Sequence, residues 1–379
     1  MSRTALAAVL TQPRRFELRE FPIPEIGDDD GILRVEACGL CGTDYEQWRG
    51  HLQNWGGGMP IIPGHEVIGW IEAIGREAGR RWKVREGDRV AIEPVVPCGH
   101  CSQCLTGAYT RCESDMGYGL YCNIARAPSL WGGYASHVYL HPRSVVHRLP
   151  SNVPTHLMTL VNPLSNSIRW VHECGGVGIG STVGILGPGQ RGLLAVVAAK
   201  EAGAARIIVT GTAADEERLK IARKLGASAT IDVTQEDPIE RVRDLTGGQL
   251  ADVVLDVSAG AVEPITQAVE MVRRGGRIVL AGLKGDKPAK GLLTDRIVFR
   301  ELQIIGVLSA GWTSTEQAID LVQRRADRLS VLCTHAFGLD QVDAAVRSLG
   351  REGANAAEAI HVTLDVAGQG RGSGLSGVV

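Results

Sequence analysis

A glycine-rich turn between an apolar strand and an apolar helix constrains the fold of this chain more than any other feature. Residues 187–192 read GPGQRG, a G-x-G-x-x-G pattern, directly after the apolar segment Val183–Leu186. Glycines at these positions permit a tight turn and let the backbone approach a pyrophosphate, which rests on the helix N-terminus. The candidate cofactor-binding residues in the turn are Gly187, Gly189, Gln190, Arg191 and Gly192.

The turn opens a long stretch in which predicted strands and helices alternate. Predicted helices such as Glu216–Leu225 and predicted strands such as Asp252–Val257 and Arg277–Ala281 follow one another at short spacing. This alternation predicts an α/β fold with a doubly wound parallel sheet. Residues before the turn form short apolar stretches broken by Gly and Pro, which indicates a mostly β domain. We therefore predict a first domain over 1–158, a nucleotide-binding domain over 159–312 and a C-terminal return over 313–379.

Composition excludes several classes of function. The 379-residue chain has a formal net charge of -2, which gives no reason to expect nucleic acid or an acidic membrane surface as a partner. No run of 18 apolar residues is available for a membrane span, and the N-terminus lacks a secretory apolar segment. The nine cysteines are an odd number, which argues against a full disulfide set. We expect a cytoplasmic protein.

Four cysteines lie within fifteen residues, in a segment that predicts a metal-binding lobe over about 94–115. Their spacing is C-x2-C-x2-C-x7-C, and it belongs to Cys98, Cys101, Cys104 and Cys112. Short C-x2-C turns let thiolates converge on one ion, and four sulfur ligands leave no position for a substrate. An iron–sulfur run usually has a C-x3-C step followed by Pro, and a disulfide knot is the other alternative. The spacing favours a structural zinc.

A second, open metal site is indicated upstream. Cys41 lies in the segment CGLCGTD, and His65 lies in PGHE. One thiolate and one imidazole from separate loops suit a catalytic zinc that keeps a position free for substrate. Taken singly, the histidine could be a satisfied turn residue and the C-x-x-C pair could be a redox pair.

The order of these motifs resembles the zinc-containing alcohol dehydrogenases of the medium-chain dehydrogenase/reductase superfamily, with the sorbitol, threonine and butanediol dehydrogenase branch most similar. The shared order is CGxCGTD, GHE, GDRVA, the four-cysteine lobe and G-x-G-x-x-G, over residues 5–365. The resemblance implies a GroES-like catalytic domain, a Rossmann domain and a catalytic zinc in the cleft between them. It also implies a zinc-dependent enzyme that transfers hydride between an alcohol and NAD(P).

Roles carry over from the resemblance motif by motif. Cys41 and His65 match the first two catalytic zinc ligands, and the four lobe cysteines match the structural site. Thr43 matches the hydroxyl that relays the alcohol proton. Glu66 matches the acid beside the histidine, which can enter or leave the zinc shell. In several relatives a histidine follows the relay hydroxyl; Glu46 or His51 could substitute for it here.

Asn162 is a departure from the family pattern. The family's third zinc ligand is a Glu, Cys or Asp shortly before the Rossmann domain, and the acid's position here is occupied by Asn162. An amide oxygen is a weaker zinc ligand than a carboxylate or thiolate. Three outcomes stay open: Asn162 binds weakly with water or Glu66 filling the shell, Glu66 is the third ligand, or the site holds no metal.

The end of the second Rossmann strand bears on the choice between NAD and NADP. NAD-binding chains usually place an acid there for the ribose hydroxyls, but this strand ends in Gly211 and Thr212. The next residues supply three carboxylates, which disfavour the extra phosphate of NADP, and Arg218, which favours it. Asp215 could reach the ribose diol instead. The balance favours NAD slightly.

The substrate is a small-molecule alcohol or ketone, and the sequence leaves its identity open. Several aromatic and aliphatic residues lie in segments that flank the cleft in the family. They favour a secondary alcohol as substrate, and a bulky or cyclic alcohol over an open polyol. The alternative is that these side chains pack at the hinge or against another subunit. The set is Trp48, Trp55, Met116, Tyr118, Leu120 and Trp131. Residues 114–130 are expected to form a lid or pocket wall.

Two other functions compete with an alcohol dehydrogenase. A zinc-independent quinone or enone reductase could share the fold, although such relatives usually lack the cysteine lobe and the Cys/His pair. A non-catalytic nucleotide-binding relative is the other alternative, with Asn162 as its support. The resemblance further implies a homodimer or homotetramer, joined through the predicted edge strand Leu302–Leu308.

Overall fold

The chain folds into two compact units. The computed structural model describes residues 3–52, 56–114, 116–352 and 359–368. The first unit comprises Met1–Asn162 and Gly311–Val379, and the second comprises Pro163–Ala310. The chain therefore leaves the first unit once and returns to it, and the first crossing falls inside a helix.

The N-terminal part of the first unit is mostly β. Its strands are β1 (Thr4–Gln12), β2 (Arg15–Pro22), β3 (Gly31–Leu40), β4 (Glu66–Ile74), β5 (Arg89–Ile92), β6 (His137–Leu140) and β7 (Val146–Arg148). Its helices are α1 (Gly42–Trp48), α2 (Arg76–Trp82), α3 (Ser102–Leu105) and α4 (Thr155–Met158), followed by α5 (Val161–Ile168), which enters the second unit. Most of these elements are short because Gly and Pro interrupt the chain repeatedly.

The second unit alternates strands and helices without interruption. It contains α5 and a π-helical turn (Arg169–Cys174), and then β8 (Thr182–Leu186), α6 (Gln190–Glu201), β9 (Arg206–Gly211), α7 (Glu216–Leu225), β10 (Ala229–Asp232), α8 (Pro238–Leu245), β11 (Ala251–Asp256), α9 (Glu263–Met271), β12 (Val272–Leu280), α10 (Thr294–Phe299) and β13 (Gln303–Gly306). The sheet order is β10-β9-β8-β11-β12-β13, with all neighbours parallel. This order confirms the predicted doubly wound sheet, and it reverses between β8 and β11.

The return segment completes the first unit. It consists of α11 (Trp312–Arg324), α12 (Ala326–Leu329), β14 (Cys333–Phe337), α13 (Val342–Leu349) and β15 (His361–Asp365). Strands join in the order β14-β15-β3-β4-β5-β7, with β6 also paired to β3, while β1 and β2 form a separate hairpin. The last strand of the chain thus pairs with β3, so the C-terminal residues belong to the N-terminal fold.

Each unit has its own apolar core. β3 lies in the middle of its sheet, and of its ten residues only Arg34 is exposed. The core of the second unit is formed by strand residues such as Ile208, Val254 and Ile278, all fully buried, and by the helices that cover them. Continuous apolar strands of this kind are typical of sheets buried on both faces.

Most predicted elements are present. The predicted helix Glu216–Leu225 is present with the same bounds, whereas α10 and the helical segment from Val161 were not predicted. Helix α5 has a Pro at its third position, and α10 has only a weak pattern of apolar residues. Both features obscure the helical periodicity on which the prediction depends. Across the described residues, no helix combines the length and apolar character that a membrane crossing requires.

Candidate active site

Three buried side chains converge at the ends of β3 and β4. Cys41 follows the last residue of β3 and caps helix α1, while His65 and Glu66 stand where β4 begins. The sulfur of Cys41, a ring nitrogen of His65 and a carboxylate oxygen of Glu66 all lie within 4.8 Å of one another. The Cys41 Sγ–His65 Nε2 distance is 3.0 Å. A thiolate, an imidazole and a carboxylate at this spacing are a zinc-type donor set.

Asp44 contacts both Cys41 and His65 of this group. The N–H of Cys41 donates to Asp44 Oδ2 at 2.9 Å, and Asp44 Oδ1 lies 3.4 Å from His65 Nδ1. One buried carboxylate therefore accepts a hydrogen bond from the backbone of Cys41 and lies in ion-pair contact with the ring of His65. Sequence reasoning did not assign Asp44 a role, although its position three residues after a helix-capping Cys41 was a usable signal.

The electrostatics of the group favour a bound cation. Burial by itself lowers the pKa of His65, but the neighbouring Cys41 thiolate and the Asp44 carboxylate outweigh burial and raise the pKa well above its ordinary value. Burial, with the Asp44 and Glu66 charges, raises the pKa of Cys38 well above its ordinary value. Negative groups gathered in a dry site hold positive charge strongly, whether it is a proton on His65 or a metal ion.

Gly39 provides the space for Glu66. The two residues are opposite each other in the β3–β4 register, and a Cβ added to Gly39 would lie only 2.5 Å from Glu66 Oε2 and 3.1 Å from His361 Cε1. Any side chain at position 39 would push the carboxylate away. The absence of a side chain here thus decides where the Glu66 carboxylate lies.

Thr43 lies on the first turn of α1 beside the metal group. Its N–H donates to Cys41 Sγ at 3.3 Å, and its side chain is half-buried. One turn further along, Glu46 Oε2 lies 2.6 Å from His51 Nδ1. The two side chains that the sequence offered as relay substitutes are therefore hydrogen-bonded to each other at the end of the same helix.

Asn162 is the second residue of α5 and is half-buried. It is the last residue of the first unit. That Asn162 is the third zinc ligand stays a prediction, and the alternative is that Glu66 completes the shell.

The four lobe cysteines converge as a second donor group. Their sulfurs all lie within 4.8 Å of one another, with Cys98–Cys104 at 3.9 Å and Cys101–Cys112 at 4.0 Å. A tetrahedron of sulfurs about 2.3 Å from one zinc has edges of about 3.8 Å, whereas a disulfide bond is about 2.05 Å long. None of the nine cysteines forms a disulfide bond. The lobe therefore fits a metal and not a disulfide knot.

Backbone N–H groups and a hydroxyl prepare the lobe for negative charge. Burial alone would raise the pKa of Cys112, but hydrogen bonds from the Ser114 hydroxyl and from the Cys98 N–H outweigh it and lower the pKa to about 6. The Cys98 sulfur accepts the N–H of Cys101 at 3.3 Å. N–H groups directed at sulfur are the usual supporting contacts of thiolate metal sites.

The glycine turn lies at the carboxyl edge of the second unit's sheet. Gly187 has a φ of +102°, which favours glycine, and a Cβ on Gly192 would overlap the Gly187 carbonyl oxygen. A Cβ on Gly189 would meet nothing within 4 Å, so the backbone there is open to a ligand. Helix α6 begins at Gln190, and its N-terminus is aimed at this space. The geometry fits a pyrophosphate.

The arginines near the turn have other contacts. The guanidinium of Arg191 lies over the Trp170 ring, 5.2 Å from its centroid. Arg218 is half-buried on α7. At the end of β9, the N–H and hydroxyl of Thr212 donate to Asp215 Oδ2 at 3.1 and 2.9 Å. A carboxylate is thus fixed next to the strand end where the sequence lacked one, and a Cβ added to Gly211 would lie 3.1 Å from the Asp215 Cβ.

The aromatic set expected near the substrate is largely internal. Trp48, Tyr118 and Trp131 are at most 2% exposed and belong to the core of the first unit. Trp48 lies between two guanidinium groups, and Tyr118 packs on Trp131 with ring centroids 5.9 Å apart. Their packing explains their presence without a substrate. Met116 and Leu120 are half-buried, and Trp55 lies outside the described residues.

Comparison with protein families covers both units. The sequence model described as alcohol dehydrogenase GroES-like domain matches residues 27–151, and the one described as zinc-binding dehydrogenase matches residues 192–324. Together these ranges include more than half of the chain and contain the three-residue metal group, the cysteine lobe and much of the dinucleotide-binding unit.

Individual relatives agree with the family models. A protein named as a probable alcohol dehydrogenase from Mycobacterium tuberculosis is 45% identical over 83% of this chain and 86% of the relative. An erythritol/L-threitol dehydrogenase from Mycolicibacterium smegmatis is 30% identical over 88% and 91% of the two chains. A solved structure from Sinorhizobium meliloti, described as a zinc-binding dehydrogenase bound to NADP, superposes with a TM-score of 0.82 at 27% identity, over 96% and 99%.

These similarities extend over most of the chain and agree with the fold. The sequence resemblance to the sorbitol and threonine dehydrogenase branch is also confirmed, since relatives of both names are 31% identical to this chain. The chain belongs to the zinc-type alcohol dehydrogenases of the medium-chain dehydrogenase/reductase superfamily, NAD(P)-dependent oxidoreductases that act on CH–OH groups.

Proposed function

We propose that this protein is a zinc-dependent dehydrogenase that interconverts a secondary alcohol and its ketone and prefers NAD to NADP. The observation that carries the proposal is the convergence of Cys41, His65 and Glu66 within 4.8 Å in a buried group. If metal had only a structural role in this protein, the closed four-cysteine lobe would be sufficient, and a second group with three ligands and an open position would not be required.

Two zinc ions fit the donor sets of this chain. Cys41 and His65 would hold the catalytic ion, with Glu66 or Asn162 completing the shell. The sulfurs of the lobe would hold the structural ion. Asp44 supports the catalytic pair by fixing the His65 ring at 3.4 Å, the kind of outer contact that raises ligand basicity and metal affinity.

Thr43 is proposed to relay the proton of the alcohol, its hydroxyl accepting that proton as it gives its own proton to the next acceptor. When bound, zinc supplies a Lewis acid and the nicotinamide supplies the hydride acceptor. The N–H of Thr43 donates to Cys41 Sγ at 3.3 Å, which keeps the residue beside the metal group. Glu46 and His51, joined at 2.6 Å, are proposed to pass the proton on to solvent.

NAD is the proposed cofactor. Asp215 accepts two hydrogen bonds from Thr212 at the end of β9, so its charge stands at the strand end where ribose hydroxyls are usually recognised. A fixed carboxylate repels the 2′-phosphate of NADP. The half-buried Arg218 is the group that would favour NADP instead.

The substrate is proposed to be a small secondary alcohol. The core positions of Trp48, Tyr118 and Trp131 remove much of the support for a bulky or cyclic alcohol, which then depends on Met116 and Leu120. A relative is named for erythritol and L-threitol, which are open alcohols. Cyclic alcohols and open polyols are therefore the two classes to compare.

A homodimer is the proposed assembly, with a tetramer as the alternative. β13 is an edge strand of the second unit's sheet, and the nearby apolar side chains Val298, Phe299 and Ile304 are exposed. An exposed, apolar edge is a ready site for pairing with a second copy. We expect the Ile304→Lys variant to have a lower mass by light scattering. We further propose a cytoplasmic location, which the absence of disulfide bonds among the nine cysteines supports.

Metal content together with an alcohol panel tests the function. Protein purified without chelator is expected to hold two zinc ions per chain, and Cys41→Ser is expected to hold one and to lose oxidation of every alcohol tested. Cys38→Ala, at the other cysteine of the same C-x-x-C segment, is the matched control and keeps both ions. One zinc in the wild type, unchanged by Cys41→Ser, would overturn the proposal. The panel pairs cyclohexanols and polyols with NAD and NADP.

A further inference from the structure

A buried ion pair lies at the carboxyl edge of the second unit's sheet. Asp256 ends β11 and is fully buried, and the Nζ of Lys284 lies 2.8 Å from its Oδ2. The side chain of Lys284 is only 9% exposed. Its Nζ also donates to the carbonyl oxygen and the hydroxyl of Ser258 at 2.6 and 2.9 Å. The ammonium group thus has three oxygen neighbours, one on Asp256 and two on Ser258.

Ser258 is the residue on which these contacts meet. Its N–H and its hydroxyl donate to Asp256 Oδ1 at 3.0 and 2.6 Å. A Cβ added to Gly187, the first glycine of the dinucleotide turn, would lie 3.1 Å from the Ser258 backbone, and a Cβ on Gly282 would overlap the Ser258 carbonyl. Ser258 is therefore held between two glycines from neighbouring strand ends.

The contacts join three loops into one surface. The loop after β11 bonds to the strand of the glycine turn through Val257 N to Leu186 O at 3.1 Å. The loop after β12 bonds to β11 through Gly282 N to Asp256 O at 3.0 Å, and Gly260 N reaches Leu283 O at 2.9 Å. Lys284 adds the side-chain bonds that close this set of loops.

The position of the surface indicates which part of a dinucleotide it faces. The strand order reverses between β8 and β11, and dinucleotides bind across the carboxyl edge at such a reversal. The adenosine half belongs to the β8-β9-β10 side, where the ribose-recognising strand end lies. The other half of the cofactor therefore falls on the side of β11 and β12, where Ser258 and Lys284 lie.

We propose that Lys284 is a positioning residue that locks the loops after β11 and β12 against the glycine turn and so shapes the surface for the nicotinamide end of the cofactor. The inference rests on the proposed function, because it takes the bound molecule to be a nicotinamide dinucleotide. Lys284 acts through Ser258 and Asp256 and does not itself touch the reacting atoms.

The charge and the three hydrogen-bond donors of a lysine suit it to this role. A carboxylate buried at the end of β11 is costly unless it is paired and hydrogen-bonded, and Asp256 has both a cation and the Ser258 donors. The ammonium group, with three donors, connects a carboxylate, a backbone carbonyl and a hydroxyl at once. Without it, the two loops would lose their buried side-chain connection and would be less well fixed before the cofactor arrives.

Binding of two ligands that differ by the nicotinamide ring tests the inference. Dissociation constants of NADH and of ADP-ribose, which lacks the ring, are measured by calorimetry for the wild type and for Lys284→Met. We expect the variant to bind NADH about tenfold more weakly, since a charged hydrogen-bonded group is lost, and to bind ADP-ribose within about twofold of the wild type. Equal weakening of both ligands, or of neither, would overturn the inference.

Two further variants serve as controls for the effect of Lys284→Met on cofactor binding. Lys287→Met removes an exposed lysine of the same loop, whose Nζ donates to the Gly260 carbonyl oxygen at 3.1 Å, and it should leave both constants unchanged. Lys284→Met leaves Asp256 buried without its cation, a change that can unfold the domain, so a double variant with Lys284→Met and Asp256→Asn removes both charges. This double variant must show the same selective loss of NADH binding; if it does not, the inference fails.

Failure of the proposed function has a different signature. In that case the wild-type protein would bind neither NADH nor NADPH, and the comparison with Lys284→Met would have no starting affinity. Failure of the positioning role leaves wild-type binding intact, with the variant either equal to the wild type or weakened equally for NADH and ADP-ribose. The two outcomes therefore cannot be confused.

Discussion

Asp44 and His65 form a contact on which the candidate metal group depends: Asp44 Oδ1 lies 3.4 Å from His65 Nδ1, and both side chains are buried. The same carboxylate accepts the N–H of Cys41. The His65 ring is thereby turned so that its other nitrogen faces Cys41 Sγ at 3.0 Å. Asp44 thus sets the direction of both candidate ligands without being one of them.

Neutralising Asp44 should weaken metal binding. In Asp44→Asn the backbone bond to Cys41 can survive, but the negative charge behind His65 is lost. We expect zinc affinity at this site to fall by about 10- to 100-fold, measured by competition with a chromogenic chelator. Glu46→Gln on the same helix should not change the affinity. An unchanged affinity in Asp44→Asn would contradict the supporting role.

Removing one lobe cysteine should cost both metal and stability. Cys104→Ser leaves three thiolates, and we expect one zinc fewer per chain and a thermal midpoint lowered by several degrees, because metal binding contributes to folding. Atomic absorption and calorimetry give the two readouts. Cys122→Ala, a buried cysteine outside the lobe, should retain all of its zinc. A Cys104→Ser protein with full metal content would refute the assignment of the lobe.

Thr43 should affect turnover and not cofactor binding. Thr43→Val keeps the size of the side chain but removes the hydroxyl, and we expect kcat to fall by about 100-fold while the Kd of NADH stays unchanged. Thr43→Ser restores a hydroxyl and should recover most of the rate. If Thr43→Val and Thr43→Ser lose the same activity, the hydroxyl is not the relay.

Asp215 should determine the preference between the two cofactors. Asp215→Asn removes the charge that Thr212 holds at the end of β9, and we expect kcat/KM for NADP relative to NAD to rise by about tenfold. Glu216→Gln removes the same charge one residue later, from an exposed side chain paired with Lys220, and should leave the ratio unchanged. Equal ratios in the wild type and Asp215→Asn would argue against Asp215 as the determinant.

His361 should make stability fall as the solution becomes acidic. Burial lowers the pKa of His361 to about 3 from an ordinary value of 6.5. Between these values the unfolded chain takes up a proton that the folded chain does not, so stability is full above pH 6.5 and decreases as the pH falls. The contribution between pH 7 and pH 5 is about 2 kcal/mol.

Urea unfolding at pH 7 and pH 5 measures this effect. In His361→Gln the side chain can still bond to Thr159, as the imidazole does at 2.7 Å, but it takes up no proton. The pH dependence should therefore shrink by about 2 kcal/mol relative to the wild type. His51→Gln at an exposed position is the control. Identical pH dependence in His361→Gln and the wild type would exclude His361 as the source.

Much of the second unit could be predicted because its signals are local. Helix α7 spans Glu216–Leu225 as predicted, since acidic residues begin it, apolar residues recur at helical spacing and Gly226 ends it. The glycine turn could be predicted because an apolar strand precedes it and an apolar helix follows it. The spacing of the four cysteines likewise placed all four sulfurs in one short segment.

Other features depend on which distant segments meet, and a linear pattern does not contain that information. Trp48, Tyr118 and Trp131 have the composition of a binding wall, yet the fold turns them into its core. Asp44 faces His65 only because β3 and β4 pair in a register that brings Cys41 and His65 together. Lys284 and Asp256 are 28 residues apart and meet only because β11 and β12 end side by side.

The sequence by itself determined the parallel sheet, the glycine turn and the four-cysteine lobe, because each is encoded by residue type at short spacing. Only the tertiary structure decided which carboxylate supports His65, where Asp215 stands at the end of β9, and which lysine closes the loops after β11 and β12. Hydrogen bonds and ion pairs of this kind need atoms within about 3 Å, and strand pairing brings them that close.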